Sequence, residues 1–562
     1  MSDPTLTSLC AAVSGPGMMA HLREFARWVK LSGTPDEMAS LQYVRARLDA
    51  YGYRTKLLLH DAYISLPGAA SVEVDGRALT GITHSHSQSS PAGGVSGNLV
   101  DVGEGTDGDF AGRDLRGCIV LADGIASPGV ARRASMAGAV GQLHVSPHQH
   151  LHEMCISPVW GSPSAETFSE MPVTVACTIS DADGAALRER LARGEQPRVV
   201  LHAQVDTGWR KTPILVAEMD GGEAGDEAPF VLFSGHHDTW YYGVMDNGAA
   251  NATMLEVARL CAGQRAKWRR GLRICFWSGH SHGRYSGSTW YVDENWDELD
   301  RRCVAHVNVD STGGNGATVL ENAAAVSELA ALAGEAIGEQ TGHQYVGTRK
   351  SRSSDDSFPG IGIPAMFGSL SQQPPGPVKM RNSLGWWWHT PEDLIDKLDE
   401  EFLVRDTKVF VHVVWRLLAD VILPLDYVTH ARALQAELDR LGKALDGRFA
   451  IDALHAGAAR LRTLAEAIAA ASPADAARIN QALMQTSRAL VPVDYTRGDR
   501  FTHDPALPQP PWPTLQPLRD LAATAPNSGA AQFHTVGAMR ARNRVLHALR
   551  QANAALHAAL QR

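Results

Sequence analysis

The sequence predicts an α/β protein: a mostly parallel central sheet with helices on both faces, a β-rich inserted domain and a C-terminal helical domain. Three observations predict this. Between residues 205 and 425, short apolar runs alternate with longer amphipathic ones, the order that gives parallel strands joined by crossover helices. From about 62 to 205, short β-like runs are separated by Gly, Pro and Asp turns. After Pro424 the chain becomes rich in Ala and Leu at helical spacing. The expected divisions are 1–61 (first part of the α/β domain), 62–205 (insert), 206–425 (the part that carries chemistry) and 426–562 (helical, for dimerisation).

Residues 18–60 read as two helices and a strand. Thr34-Pro35-Asp36-Glu37 is a helix start, with Thr34 as cap, Pro35 in the first turn and Glu37 completing a capping box. The helix presents Met38, Leu41, Val44 and Leu48 on one face and stops near Gly52, and Tyr53–Leu59 follows as a strand. The insert holds six β-like runs, from SVEVDG to RVVLHAQV, and two helical pieces near 128–138 and 181–193. The α/β part reads as strand Phe230–Phe233, helix 248–262, strand Leu272–Trp277, helix 288–300, strand Cys303–Val309, helix Ala323–Thr341, strand Ile363–Phe367 and helix 400–422. Helices at about 428–444, 450–471, 474–489 and 535–560 follow, with a Pro-rich arm over 495–533.

Composition excludes several classes. At 562 residues the chain exceeds one core, and 44% apolar with 20% charged residues is ordinary for a folded protein. A net charge of -9 disfavours general nucleic-acid binding. No run reaches the 18 or more apolar residues of a membrane span, and Met1–Gly17 lacks the pattern of a secretory signal. The seven cysteines (10, 118, 155, 177, 261, 275, 303) form no CxxC pair, which fits reduced thiols and a cytoplasmic location. The sequon Asn251-Ala252-Thr253 falls in a predicted helix and is read as chance.

The chemistry collects at predicted strand ends. The Phe230–Phe233 run leads through Ser-Gly to His236, His237 and Asp238; Asp246-Asn247-Gly248 then precedes a helix. Imidazole and carboxylate together suit zinc and similar ions, and the C-terminal edge of an open α/β sheet is where ligands bind. Leu272–Trp277 ends in Ser278-Gly-His280-Ser281-His282-Gly, and Cys303–Val309 ends in Asp310. Ser354-Asp355-Asp356 precedes another strand, and Trp386-Trp-Trp-His389-Thr-Pro-Glu-Asp393 precedes a helix. His144, His148, His150 and His152 make a His-rich patch, read as a polar loop because no acidic partner has fixed spacing. Tyr241, Tyr242 and Trp386–Trp388 read as pocket walls or core, and Arg349, Lys350 and Arg352 as a charged loop able to receive a substrate carboxylate.

This order of residues resembles the co-catalytic zinc peptidase family of bacterial leucyl aminopeptidases, aminopeptidase Y, glutamate carboxypeptidase II and the transferrin receptor. Residues 60–205, with the phrase Phe110-Ala-Gly-Arg-Asp-Leu-Arg-Gly-Cys-Ile-Val-Leu121, resemble its protease-associated insert, and the C-terminal helices resemble its dimerisation domain. The resemblance implies two divalent ions, zinc first, with iron, nickel, manganese and cobalt as alternatives. It implies His236 as a ligand, Asp238 as the carboxylate orienting it, Asp246 as the bridge, Asp310 as terminal ligand beside His236, and His389 as the last ligand on the other metal.

The family carries two adjacent glutamates before a Gly-Ser, the first a general base and the second a ligand. Counted back from Gly287-Ser288, those positions hold Ser281 and His282. Imidazole can ligate, so His282 is the expected fifth ligand; a serine hydroxyl cannot replace a carboxylate base. His280 is then the favoured base, ahead of His237 and of Asp355 or Asp356. The function expected is hydrolysis of an amide or peptide-like bond in a small-molecule or short-peptide substrate. The alternatives are a non-catalytic scaffold or a metal-dependent lyase or cyclase. The C-terminal helices lead us to expect a homodimer, with no nucleic-acid or membrane partner.

Overall fold

A computed structural model describes residues 3–222, 227–376 and 383–561. At its centre four strands run parallel, in the spatial order Gly271–Trp277, Phe230–His236, Cys303–Asp310 and Ala365–Ser369. Their sequences are near-continuous apolar runs because both faces are covered. On one face Val231, Phe233, Val307 and Val309 pack with Leu22 and Phe25 of helix Gly15–Phe25, Met254 and Val257 of Ala250–Ala262, and Phe410 and Val414 of Glu400–Ala419. On the other face Leu232, Cys275 and Trp277 pack with Tyr291, Val292 and Leu299.

Two long strands, Arg54–Val74 and Arg198–Met219, pair antiparallel from Arg54–Glu218 to Val74–Val199. The second also borders Gly271–Trp277. Their pairing runs without a break past residue 61, and its one irregularity, between Pro67 and Ala70 opposite Val205 and Ala203, falls at the boundary expected near 205. The insert therefore continues the central sheet. Within it Val95–Asp101, Ile119–Asp123, Gly141–Val145 and Val175–Ile179 run parallel, accompanied by helices Pro128–Met136 and Asp181–Ala192.

Some elements differ from expectation. Helix Pro4–Ala11 was not anticipated; Asp3 caps it by accepting from Thr5 N at 2.8 Å. The expected 288–300 helix is two, Ser286–Glu294 and Trp296–Arg302, divided at Asn295. The helix expected from Ala323 starts at Ala330, because Ala324–Ala325 pair as a short strand between Thr348–Arg349 and Ala365–Ser369. Helices Tyr427–Leu445, Asp452–Ala469, Ala476–Tyr495 and Gly529–Leu560 form the C-terminal part. The Pro-rich arm includes a short helix, Gln516–Ala523. Among the described residues no helix is long and apolar enough to cross a membrane.

Candidate metal centre and active site

The parallel strands release their C-terminal ends side by side, so His236, the loop after Trp277, and Asp310 meet at one edge. His236 is buried. Its Nδ1 donates to the backbone carbonyl of Asp238 at 2.8 Å, which turns Nε2 toward Asp246 Oδ1 (3.1 Å) and Asp310 Oδ1 (3.7 Å). His389 Nε2 lies 3.0 Å from Asp246 Oδ2. Asp246 thus offers one oxygen to each histidine, as a bridging carboxylate does.

Local structure fixes these atoms. Asp393 accepts from the backbone N–H groups of Met245 (2.9 Å) and Asp246 (3.0 Å). Asn247, joined to Asp246 by a cis peptide, donates to the carbonyls of His236 and Val309 and accepts from Ser311 N. Gly243 turns the preceding loop with φ 50°, and a Cβ there would collide with the Asp246 carbonyl. His389 Nδ1 donates to the carbonyl of Glu153 at 2.7 Å, so the insert orients it, and Trp388 stacks on its ring at 3.4 Å.

The electrostatics call for a cation. Burial opposes charge on His236, yet Asp246 and Asp310 overcome it and hold the imidazolium well above its ordinary range. Burial would raise the Asp246 carboxyl, but His236 and His389 hold it well below the usual carboxylate range. Asp310 is likewise lowered, against burial and the charge of Asp246, by His236. Two carboxylates buried among imidazole nitrogens form a donor set that fits a divalent ion of the zinc type. Ligand atoms of His236, His280 and Asp310 all lie within 4.8 Å of one another.

Asp238 sits beneath the site. Its backbone carbonyl orients His236, while its carboxylate, 3.8 Å from His236 Nδ1, accepts from Ser32 Oγ (2.6 Å), Ser281 N (2.9 Å) and His280 N (3.3 Å). The orienting contact expected of the carboxylate is thus made by the main chain, and the carboxylate clamps the 280–281 loop. His237 is behind the site, its Nδ1 2.5 Å from Asn251 Oδ1 and its ring between Phe25 and Phe276.

His280 lines the cleft. Its Nδ1 meets Asp355 Oδ2 at 2.9 Å, and its ring lies parallel to His236, with centroids 3.6 Å apart and planes 12° apart. Asp355 is fully buried and also accepts from Ser288 Oγ at 2.9 Å. Ser281 lines the cleft beside His280, and its buried hydroxyl has no hydrogen-bond partner.

His282, the expected fifth ligand, has a buried Nε2 with no hydrogen-bond partner. It lies outside the cleft lining, with Nδ1 2.9 Å from Ser32 Oγ and its ring against Trp240, which itself lines the cleft. Burial, then His389, pushes its pKa down to about 3, so it is neutral. The ligand role expected of it came from counting back from Gly287-Ser288. Arg284 and Tyr285 both take left-handed φ values, 50° and 71°, before the helix starts at Ser286. Counting forward from the strand end at Trp277 brings His280 and Ser281 to the cleft instead.

The cleft has a volume of about 630 Å³. Beyond the metal centre its wall includes Met154 and Cys155 of the insert, Arg284, the 348–354 segment, and Ala506–Pro508 of the C-terminal part. Arg349 pairs with Asp494, Lys350 with Asp356 at 2.5 Å, and Arg352 donates to the Asp504 carbonyl. Arg284 makes no ion pair with a described carboxylate. Sequence reading missed three contributions: the main-chain clamp by Asp393, the Glu153 carbonyl, and Asp355 as partner of His280. Only the Asp393 position, in the His-Thr-Pro-Glu-Asp run, had a local signal.

Comparison with known proteins agrees with this geometry. Residues 215–414 match the model of Peptidase family M28. The chain is 24% identical over 531 residues to "Probable glutamate carboxypeptidase AMP1" of Arabidopsis thaliana, an alignment covering 79% of this chain and 73% of that protein. In structure it is similar to an M28 peptidase precursor from Shewanella amazonensis (TM-score 0.58, 20% identity, covering 73% of this chain and 95% of that one). It is also similar to a zinc aminopeptidase from Bacillus subtilis (TM-score 0.56, 18% identity, covering 73% and 96%). At these identities the two structures speak for the fold, and the family match for the chemistry. Residues 215–414 are therefore similar to the catalytic domain of Peptidase family M28, and the chain is a metallopeptidase that hydrolyses peptide bonds.

Proposed function

We propose that this chain hydrolyses a peptide or peptide-like amide in a small substrate, with the pair His280–Asp355 moving the proton. The carrying observation is the 2.9 Å contact from His280 Nδ1 to Asp355 Oδ2, on a histidine that lines the cleft beside His236. A carboxylate can only accept, so Nδ1 carries the hydrogen and Nε2 presents a free lone pair. That nitrogen is the base that takes a proton from water and the acid that returns it to the leaving amine. Asp355 fixes the tautomer and stabilises the imidazolium that forms, as in other His–carboxylate pairs. A divalent ion held by His236, Asp246 and Asp310, with zinc first, supplies Lewis acidity to the scissile carbonyl and acidifies water when bound.

The commitment of His280 Nδ1 to the buried carboxylate of Asp355 supports a base, and its ring lies parallel to His236 with planes 12° apart and centroids 3.6 Å apart. Arg284 is suited to hold a substrate carboxylate, since it lines the cleft four residues from His280 and has no described acidic partner. The test is turnover of zinc-loaded protein on dipeptides, N-acyl amino acids and their C-terminal amides. Hydrolysis is expected, with KM raised by amidation and by Arg284→Ala. Turnover indifferent to both changes would remove Arg284 from the reading.

We also propose a homodimer through the C-terminal helices. Phe533, Val536 and Met539 are exposed at spacings of three on helix Gly529–Leu560, which supports this. Sedimentation of a monomer at micromolar concentration would rule it out.

A further inference from the structure

Asp355 is held at both of its carboxylate oxygens. Oδ2 meets His280, and Oδ1 accepts from Ser288 Oγ at 2.9 Å. Ser288 Oγ lies 2.9 Å from Ser357 Oγ, which accepts from the indole Nε1–H of Trp160 at 2.9 Å. Trp160, Ser357, Ser288 and Asp355 are all buried. Trp160 belongs to the insert, far from the strand ends that carry the metal centre in sequence.

Chemistry fixes the direction of every bond. An indole nitrogen can only donate, and an ionised carboxylate can only accept. Ser288 gives its one hydrogen to Asp355, because a charged acceptor at 2.9 Å outranks the Tyr285 carbonyl at 3.2 Å. Its oxygen therefore accepts from Ser357, for which Ser288 at 2.9 Å is nearer than Thr289 Oγ1 at 3.3 Å. All the hydrogens point toward Asp355, and aligned bonds strengthen one another.

The start of the chain of bonds is pinned. Ala506 N, from the C-terminal part, donates to the Pro158 carbonyl at 2.8 Å, and Gly161 N donates to the Arg284 carbonyl at 2.7 Å. Gly161 has φ 76°, and a Cβ there would collide with Thr289. The Trp160 ring packs on Tyr285 with centroids 4.4 Å apart, and the Arg352 guanidinium lies 3.8 Å from its centroid.

We infer that Trp160 and Ser357 are positioning residues: with Ser288 they form a one-way hydrogen-bond relay by which the insert holds the Asp355 carboxylate on His280. This rests on the reading of His280 and Asp355 as the pair that moves the proton. The relay keeps Asp355 ionised and oriented, so the hydrogen stays on His280 Nδ1 and the lone pair on Nε2.

The experiment compares the zinc-loaded full chain with Trp160→Phe, which keeps the ring and removes the N–H, and with Ser357→Ala. The first readout needs no substrate: the far-downfield proton resonance of an imidazole N–H bonded to a carboxylate, assigned to His280 by its loss in His280→Ala. Both variants should shift it while circular dichroism matches the parent. The second readout is steady-state hydrolysis of a dipeptide. Each variant should lower kcat about three- to tenfold, the loss of one hydrogen bond, with KM within about twofold. In an Asp355→Ala background Ser357→Ala should cost less than about twofold, because the relay then has no end. An unmoved resonance, or an equal cost of Ser357→Ala with and without Asp355, would overturn the inference and leave the base assignment intact. Absence of the resonance from the parent protein would overturn the His280–Asp355 pair itself, a different result.

Discussion

Replacing His280 by alanine removes the one cleft-lining group that has a buried carboxylate partner and a free nitrogen. Positioned general bases contribute roughly 10²–10⁴-fold, so kcat should fall by that factor, about 2.7–5.5 kcal/mol of barrier. The structure also says what should not change. His236 keeps its contacts with Asp246 and Asp310, so for a base zinc affinity should stay within a few fold. The assay pairs steady-state hydrolysis with zinc titration of the same preparation. Exogenous imidazole should restore part of kcat in His280→Ala, since the space vacated opens on the cleft. Asp355→Ala should cost less than His280→Ala, because the imidazole remains while its tautomer is no longer fixed. The reasoning is refuted if His280→Ala lowers zinc affinity by ~100-fold, which would make it a ligand. It is equally refuted if kcat changes less than threefold.

Other outcomes follow from the same contacts. Ser281→Glu should raise Zn2+ affinity at least tenfold, by adding a carboxylate to the cleft beside His280; unchanged affinity in calorimetry would mean residue 281 does not face the metal centre. His282→Ala should keep its zinc but lose about 1–3 kcal/mol of stability, because Ser32 and Trp240 lose a buried partner; loss of the metal would reinstate it as a ligand. Burial raises the Asp494 carboxyl to about 6, against the pull of Arg349. Its folded-state value exceeds the unfolded one, so its contribution is fully present below about pH 4 and lost as pH rises through about 6. Asp494→Asn should flatten the fall of melting temperature across that window, and an unchanged slope would refute the assignment.

The sheet and most of the donors were legible because parallel strands buried on both faces advertise themselves as apolar runs, and their ends are marked by His236 and Asp310. Asp246 and His389 were found because each follows or precedes such an element at a loop. The register of the 278–285 loop was not legible. Its path turns on two residues, Arg284 and Tyr285, in left-handed backbone, and no side-chain pattern signals that. Counting back from Gly287 put the ligand at His282, whereas counting forward from Trp277 puts His280 and Ser281 at the cleft. The extent of the Arg54–Val74 and Arg198–Met219 strands was hidden for a different reason. Pro67 and Gly68 look like a turn, while in the fold they form an irregularity within one continuous pair. Long-range contacts such as Glu153 to His389 and Asp355 to His280 leave no trace in local spacing.

The most direct measurement is hydrolysis of a peptide and amide panel by the chain stripped of metal, reloaded with Zn2+, and compared with His236→Ala. The account predicts hydrolysis that disappears on stripping, returns with zinc, and is absent in the variant. Full zinc loading with no hydrolysis of any substrate, or hydrolysis that survives His236→Ala, would contradict it.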